Sequence, residues 1–158
     1  MPLVLRQLGW KQQQRNAVEM CACIHVHMKI GAEKVMYCRG IRGATTVDYN
    51  DREEIIEATA ELLRLMVHEN NVNIEEIASA SFTLTDDLDA VFPAQAARQI
   101  GWNEVPLICM REIPVPNSLS KCIRVLLLVN TTHSASEIQH IYIRKAVSLR
   151  PEFVPETW

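Results

Sequence analysis

Arg124 sits inside KCIRVLLLVN, residues 121–130, a run otherwise suited to a buried β-strand. Read with period two, Cys122, Arg124, Leu126 and Leu128 share one face and Ile123, Val125, Leu127 and Val129 the other, and apart from the arginine both faces are apolar. A guanidinium cannot escape burial by losing its proton, and leaving it unpaired is costly, so this strand predicts an anionic partner at Arg124. Three more arginines stand in apolar or tightly turned surroundings: Arg42 between two glycine-bearing steps, Arg98 on an alanine-rich stretch and Arg150 ahead of Pro151. Singly, each is an ordinary surface ion-pair former; together they form a set suited to gripping a small polyanion.

Cys21, Cys23, His25 and His27 alternate regularly and invite a metal-site reading. In a strand, successive side chains on one face are about 6.6 Å apart, too spread for four of them to close on one tetrahedral ion, so no metal site is predicted. The five cysteines, at 21, 23, 38, 109 and 122, form no CxxC pair and predict reduced thiols in a cytoplasmic protein. His68, His133 and His140 read as surface or cap-proximal residues, and Cys122 as packing.

The elements that must position these residues are legible from residue 37 onward. A chain of 158 residues predicts one domain with a real core, and its net charge of −3 gives no electrostatic reason to expect nucleic acid or a membrane surface as partner. No apolar run approaches the length of a membrane span. Residues 1–36 lack pattern and read as an N-terminal extension or the product of an upstream start; their Arg6, Lys11 and Arg15 without an acid resemble a transit peptide, but the first eighteen residues contain no serine.

YCRGIRGATTV, residues 37–47, reads as a strand ending near a glycine-containing turn, and Asn50 with Glu53 as a capping box. Ile55, Ile56, Thr59, Leu62, Leu63, Met66 and Val67 then form one helical stripe. Asn73 and Glu76 open a short helical turn into the strand ASASFTLT, and Pro93 to Gly101 bracket a second helix. VPLICMRE is a further strand, Ser134 or Ser136 caps a short turn, and IYIRKAVSL alternates as a last strand with Tyr142, Arg144, Ala146, Ser148 and Arg150 on one face. The order predicts an α+β domain over 37–153: a mixed β-sheet with two main helices on one face, followed by a tail at 154–158.

RGIRGATTV (39–47), DLDAVFPAQAAR (87–98), VPLICMREIPV (105–115), KCIRVLLLVN and the terminal LRP (149–151) resemble, in order and spacing, the monofunctional chorismate mutases of the Bacillus subtilis type. The resemblance implies a homotrimer built as a pseudo-α/β barrel, with active sites at subunit interfaces. It also implies the Claisen rearrangement of chorismate to prephenate in phenylalanine and tyrosine biosynthesis. That reaction is pericyclic and unimolecular; it needs no cofactor, only a folded substrate conformer and stabilisation of the breaking C–O bond's developing charge.

By the same resemblance Arg124 meets the ether oxygen, Arg42 and Tyr142 bind the side-chain carboxylate, and Glu112 and Cys109 hold the ring hydroxyl. Leu107, Ile108, Met110 and Arg111 line the site through backbone groups, while Phe92, Ala94, Arg98, Leu149 and Arg150 pack on the ring or guard the opening. Arg42, Arg124 and Tyr142 are expected from one subunit and the 92–112 set from its neighbour.

Gln95 departs from the family at a position that is often basic, which removes an attraction for substrate from that side. Ile108 departs where a threonine can occur, leaving only its backbone polar groups. Cys109 and Glu112, three apart, point to opposite faces of a straight strand, so both reach one ligand only if the strand ends or bulges near Met110–Arg111. Two other functions remain open on these residues: a non-catalytic trimeric binder of small carboxylates using the same pocket, and a related trimeric enamine or imine hydrolase, which would need a water-activating group the sequence does not place.

Overall fold

The computed structural model describes residues 35–153. The arginine-bearing stretch is β4 (Cys122–Thr131), the central strand of a five-stranded mixed sheet. It runs antiparallel to β1 (Tyr37–Thr46) on one side and β2 (Ile77–Leu84) on the other. β3 (Leu107–Arg111) extends the sheet parallel to β2, and β5 (Ile141–Tyr142) closes the opposite edge parallel to β1. The sheet register seats Arg124 between Ala44 and Thr83, two small neighbours that leave its long side chain room on that face.

Helices α1 (Arg52–Glu69) and α2 (Ala94–Gln99) cover the other face. Leu62, Leu63 and Met66 of α1 and Ala97 of α2 bury against Ile41, Phe82, Val125, Leu127 and Val129. The apolar stripe predicted for α1 is the stripe that packs, because residues three and four apart share a helix face. Gly101 ends α2 with a φ of 95°, a left-handed conformation that costs glycine nothing, and turns Trp102 into the core. The sheet and helices give the expected α+β architecture. Among the described residues no helix is long and apolar enough to cross a membrane.

Three local expectations are corrected. β1 does not stop at its glycines; Gly40 and Gly43 lie inside it, and a Cβ on Gly43 would strike Met66 and come within 3.2 Å of Leu62 Cδ1, so glycine there permits close approach of α1 rather than a turn. The N-cap of α1 is Asp51, whose Oδ1 accepts from the Glu53 and Glu54 amides, while Asn50 bonds instead to Asp89 and to the amides of Asp89 and Ala90. IYIRKAVSL is a strand only at Ile141–Tyr142 and then a 3-10 helix over Arg144–Leu149. Arg144 takes a φ of 53°, donates to the Thr46 carbonyl and pairs with Glu61, and this turn buries Ala146 against Ala44, Cys122 and Tyr142. Alternation could not register a bend fixed by partners so distant in sequence.

The reading of residues 1–36 as an extension, the Cys21–His27 alternation and the tail at 154–158 fall outside the described residues, save for residues 35 and 36.

Candidate active site

The outer face of the sheet carries the predicted chemistry. Successive side chains alternate along a strand and paired residues share a face, so Arg42 and Ala44 of β1, Arg124 and Leu126 of β4, Ser81 and Thr83 of β2 and Met110 of β3 all point away from the helices. Tyr142 of β5 sits opposite Ala44 on that same face. These residues, with Glu112, Leu149 and Arg150, line a concavity of about 490 Å³.

Arg124 is two-thirds buried, and its Nε is enclosed with no hydrogen-bond acceptor among the described residues. The anion the sequence demands is supplied in part by Glu112, whose Oε1 lies 3.6 Å from Arg124 Nη1. Glu112 is itself fixed: its Oε2 accepts a 2.6 Å hydrogen bond from Thr83 Oγ1, and its amide donates to the Leu84 carbonyl, extending the β2–β3 ladder by one residue. At 3.6 Å the ion pair is too long for a hydrogen bond, so the guanidinium keeps donors for a ligand. Three arginines, Arg42, Arg124 and Arg150, and one carboxylate, Glu112, line this concavity, and although Arg150 Nη1 also meets the exposed Glu152 Oε1 at 3.4 Å, the lining is cationic and suited to a small anion.

Below Arg124, burial pushes the Cys122 thiol pKa up while the adjacent guanidinium opposes it, which keeps the sulfur neutral. At the β5 edge, His140 Nδ1 accepts the Arg42 amide at 3.2 Å, and burial together with Arg42 and Arg150 holds the imidazole pKa below its ordinary value. Tyr142 is buried and stacks on Phe153, with ring centroids 6.0 Å apart.

The remaining predicted residues lie elsewhere. Phe92, Ala94, Arg98, Leu107, Ile108 and Cys109 line a second concavity at the opposite edge of the sheet, and Arg111 joins Phe92 and Cys109 in an adjoining one. Cys109 faces the helices, opposite Phe82, and desolvation raises its thiol pKa. No bulge turns it toward Glu112: β3 pairs continuously to Arg111 and the two side chains leave on opposite faces, as period two requires. Glu112 and Met110 therefore join the Arg124 group within the chain, not the Phe92 group expected from a neighbour.

Arg98 lies apart from the other three arginines within the chain, on the second concavity. Its Nη1 donates to the carbonyls of Trp102 and Asn103, closing the turn after α2. Sequence reasoning missed Thr83, the residue that orients Glu112. The signal was present: in ASASFTLT the polar Ser79, Ser81 and Thr83 alternate with Ala80, Phe82 and Leu84, a polar stripe on the face where Arg124 also points.

The architecture is shared with a chorismate mutase from Clostridium thermocellum, at a TM-score of 0.69 and 48% identity, covering 70% of this chain and 98% of that one. The chain belongs to the type I chorismate mutase family, whose model matches residues 38–153. It is 51% identical to chorismate mutase AroH of Thermus thermophilus over 115 residues, 72% of this chain and 94% of that protein. It is 45% identical to chorismate mutase AroH of Bacillus subtilis over 118 residues, 74% of this chain and 93% of that one.

Proposed function

We propose that the protein is a chorismate mutase, an isomerase that rearranges chorismate to prephenate in aromatic amino-acid biosynthesis. The observation that carries the reading is Arg124: a permanent cation in a sheet face, enclosed at Nε, braced by Glu112 and facing a concavity rich in arginine. A cation already fixed before reaction stabilises charge developing on the ether oxygen without having to reorganise, which is how a pericyclic step is accelerated when no bond to the protein forms. Arg42 and Tyr142 hold the side-chain carboxylate and Glu112 accepts the ring hydroxyl, while Leu149 and Arg150 border the opening.

The second half of the site comes from another copy. Phe92, Ala94, Arg98, Leu107, Ile108 and Cys109 cannot meet Arg124 within one chain, since β3 separates the two concavities, and the outer sheet face leaves Leu126 40% and Leu128 37% exposed. A homotrimer closed as a pseudo-α/β barrel covers that face and brings each Arg124 group against a neighbour's Phe92 group. The catalytic domain spans 37–153, and its free Cys38, Cys109 and Cys122 suit a cytoplasmic location.

Purified protein mixed with chorismate, without added metal or nucleotide, is expected to consume the diene absorbance and yield prephenate. Binding without turnover would instead make the protein a carboxylate binder. The shared site has its own test: Arg124→Ala and Ala94→Arg, each inactive alone, should regain part of the activity when co-expressed, and no regain would place the whole site in one chain.

A further inference from the structure

Two cations line the cavity beside Phe92, which has a volume of about 530 Å³: Arg52 and Arg111. Arg111 Nη1 is engaged by Asp86 at 3.1 Å. Arg52 is held differently. Its Nη2 donates to the neutral Gln95 Oε1 at 3.0 Å, and its Nη1 meets Glu53 Oε1 at 3.1 Å, a sequence neighbour whose side chain is 68% exposed. An amide orients a guanidinium without neutralising it, and so exposed an ion pair is largely screened, so Arg52 keeps its charge and three of its five donors for a ligand. Asp89, the carboxylate on this cavity wall, accepts from Asn50 Nδ2 at 2.7 Å and keeps its charge, but the ion pairs of Arg52 and Arg111 are made to Glu53 and Asp86 and not to it.

The position is also an unfavourable one for a cation. Arg52 opens α1, where the helix macrodipole is positive and where acids at Glu53 and Glu54 are the stabilising choice. A basic residue that helix stability does not ask for, tethered across 43 positions of sequence to a side chain on α2, calls for another reason. Position 95 on its own offers no charge, yet its amide fixes a charge from α1 at the same wall.

We propose that Arg52, oriented by Gln95, is the cation that attracts a carboxylate of the anionic substrate to the Phe92 side of the site. This rests on the reading of the protein as a chorismate mutase. Gln95 is a positioning residue, acting through Arg52.

The test is the ionic-strength dependence of chorismate turnover by the assembled enzyme. Arg52→Gln should lower kcat/KM about five- to ten-fold at low salt, mainly through KM, and flatten the salt dependence, since a single steering charge acts on encounter and ground-state binding. Gln95→Leu, which keeps the charge but frees it, should cost about two- to three-fold. Adding Gln95→Lys to Arg52→Gln should restore at least half of the loss by returning a cation to that wall.

An unchanged kcat/KM and salt slope in Arg52→Gln overturns the inference, as does a fall confined to kcat or a loss that Gln95→Lys fails to repair. Should Arg52→Gln misfold, Gln95→Leu decides alone: no change in KM sinks the proposal. Wild-type protein that does not convert chorismate defeats the proposed function instead, and Arg52 is then judged by whether chorismate binds more weakly to Arg52→Gln in equilibrium dialysis, with equal affinity counting against it.

Discussion

The two faces of β4 are both apolar apart from Arg124 and meet opposite fates. Ile123, Val125, Leu127 and Val129 are 0–4% exposed under the helices. On the other side Arg124 is two-thirds buried and Leu126 and Leu128 remain open, although Cys122 at the strand's start is enclosed. A helix layer completes the first face within the chain. The second is apolar enough to need a cover and charged enough to need a ligand, and the described residues alone supply neither. Burial predicted from strand composition alone therefore tells only that a face will be covered, while the charge on it tells by what kind of surface.

The strongest way to break this contrast is Arg124→Ala, which should lower turnover by about 10²–10³-fold or more, with a much smaller loss of binding. Equal losses in both would show that Arg124 serves binding alone. On the inner face Leu127→Ala should cost about 2–5 kcal/mol of stability, read from the denaturant midpoint, because it opens a cavity that the layers above and below cannot fill. Its outer neighbour Leu126→Glu should leave secondary structure intact but release monomers in sedimentation analysis and abolish activity; an unchanged oligomer would remove the subunit cover from the comparison.

Thr83→Val should reduce kcat/KM about ten-fold, the loss of one hydrogen bond to a charged group, because Glu112 then no longer faces Arg124 in a fixed orientation. Unaltered kinetics would mean that the Leu84 carbonyl holds Glu112 without help.

The smallest effect concerns His140. Folding lowers its pKa, so the neutral ring is favoured and its contribution to stability is whole above about pH 6.5 and drains as the pH falls toward the lowered folded value. Protonation puts a hydrogen on Nδ1, which then faces the Arg42 amide instead of accepting from it; the charges turned toward the ring are Arg42 and Arg150, and Phe153 packs edge-on. Activity and thermal midpoint should both decline below about pH 6.5, and His140→Gln should weaken that decline.

Period-two patterns located the sheet and a period-3.6 stripe located α1, because burial by layers acts on side-chain spacing that sequence displays directly, while Pro93 and Gly101 marked the ends of α2. Arg124 was legible for the same reason: a charge stands out in an apolar run. What escaped depended on partners far along the chain. The bend at Arg144 is set by Thr46 and Glu61, the hold on Arg98 Nη1 by carbonyls of a turn, and the assignment of Glu112 to the Arg124 side by a ladder that runs one residue past β3. Asn50 illustrates the case most simply, since its side chain had a local cap within reach and instead tied down the loop at Asp89 and Ala90 that leads to Phe92.

Gly43 carries a consequence for how the protein can change. Its missing side chain sets how closely α1 lies on the sheet, and the residues on either side of it, Arg42 and Ala44, line the Arg124 concavity. A substitution that lifted the helix would move both neighbours through the backbone they share. Variation that adjusts the core and variation that adjusts the pocket meet at this one peptide, so neither can drift there without the other.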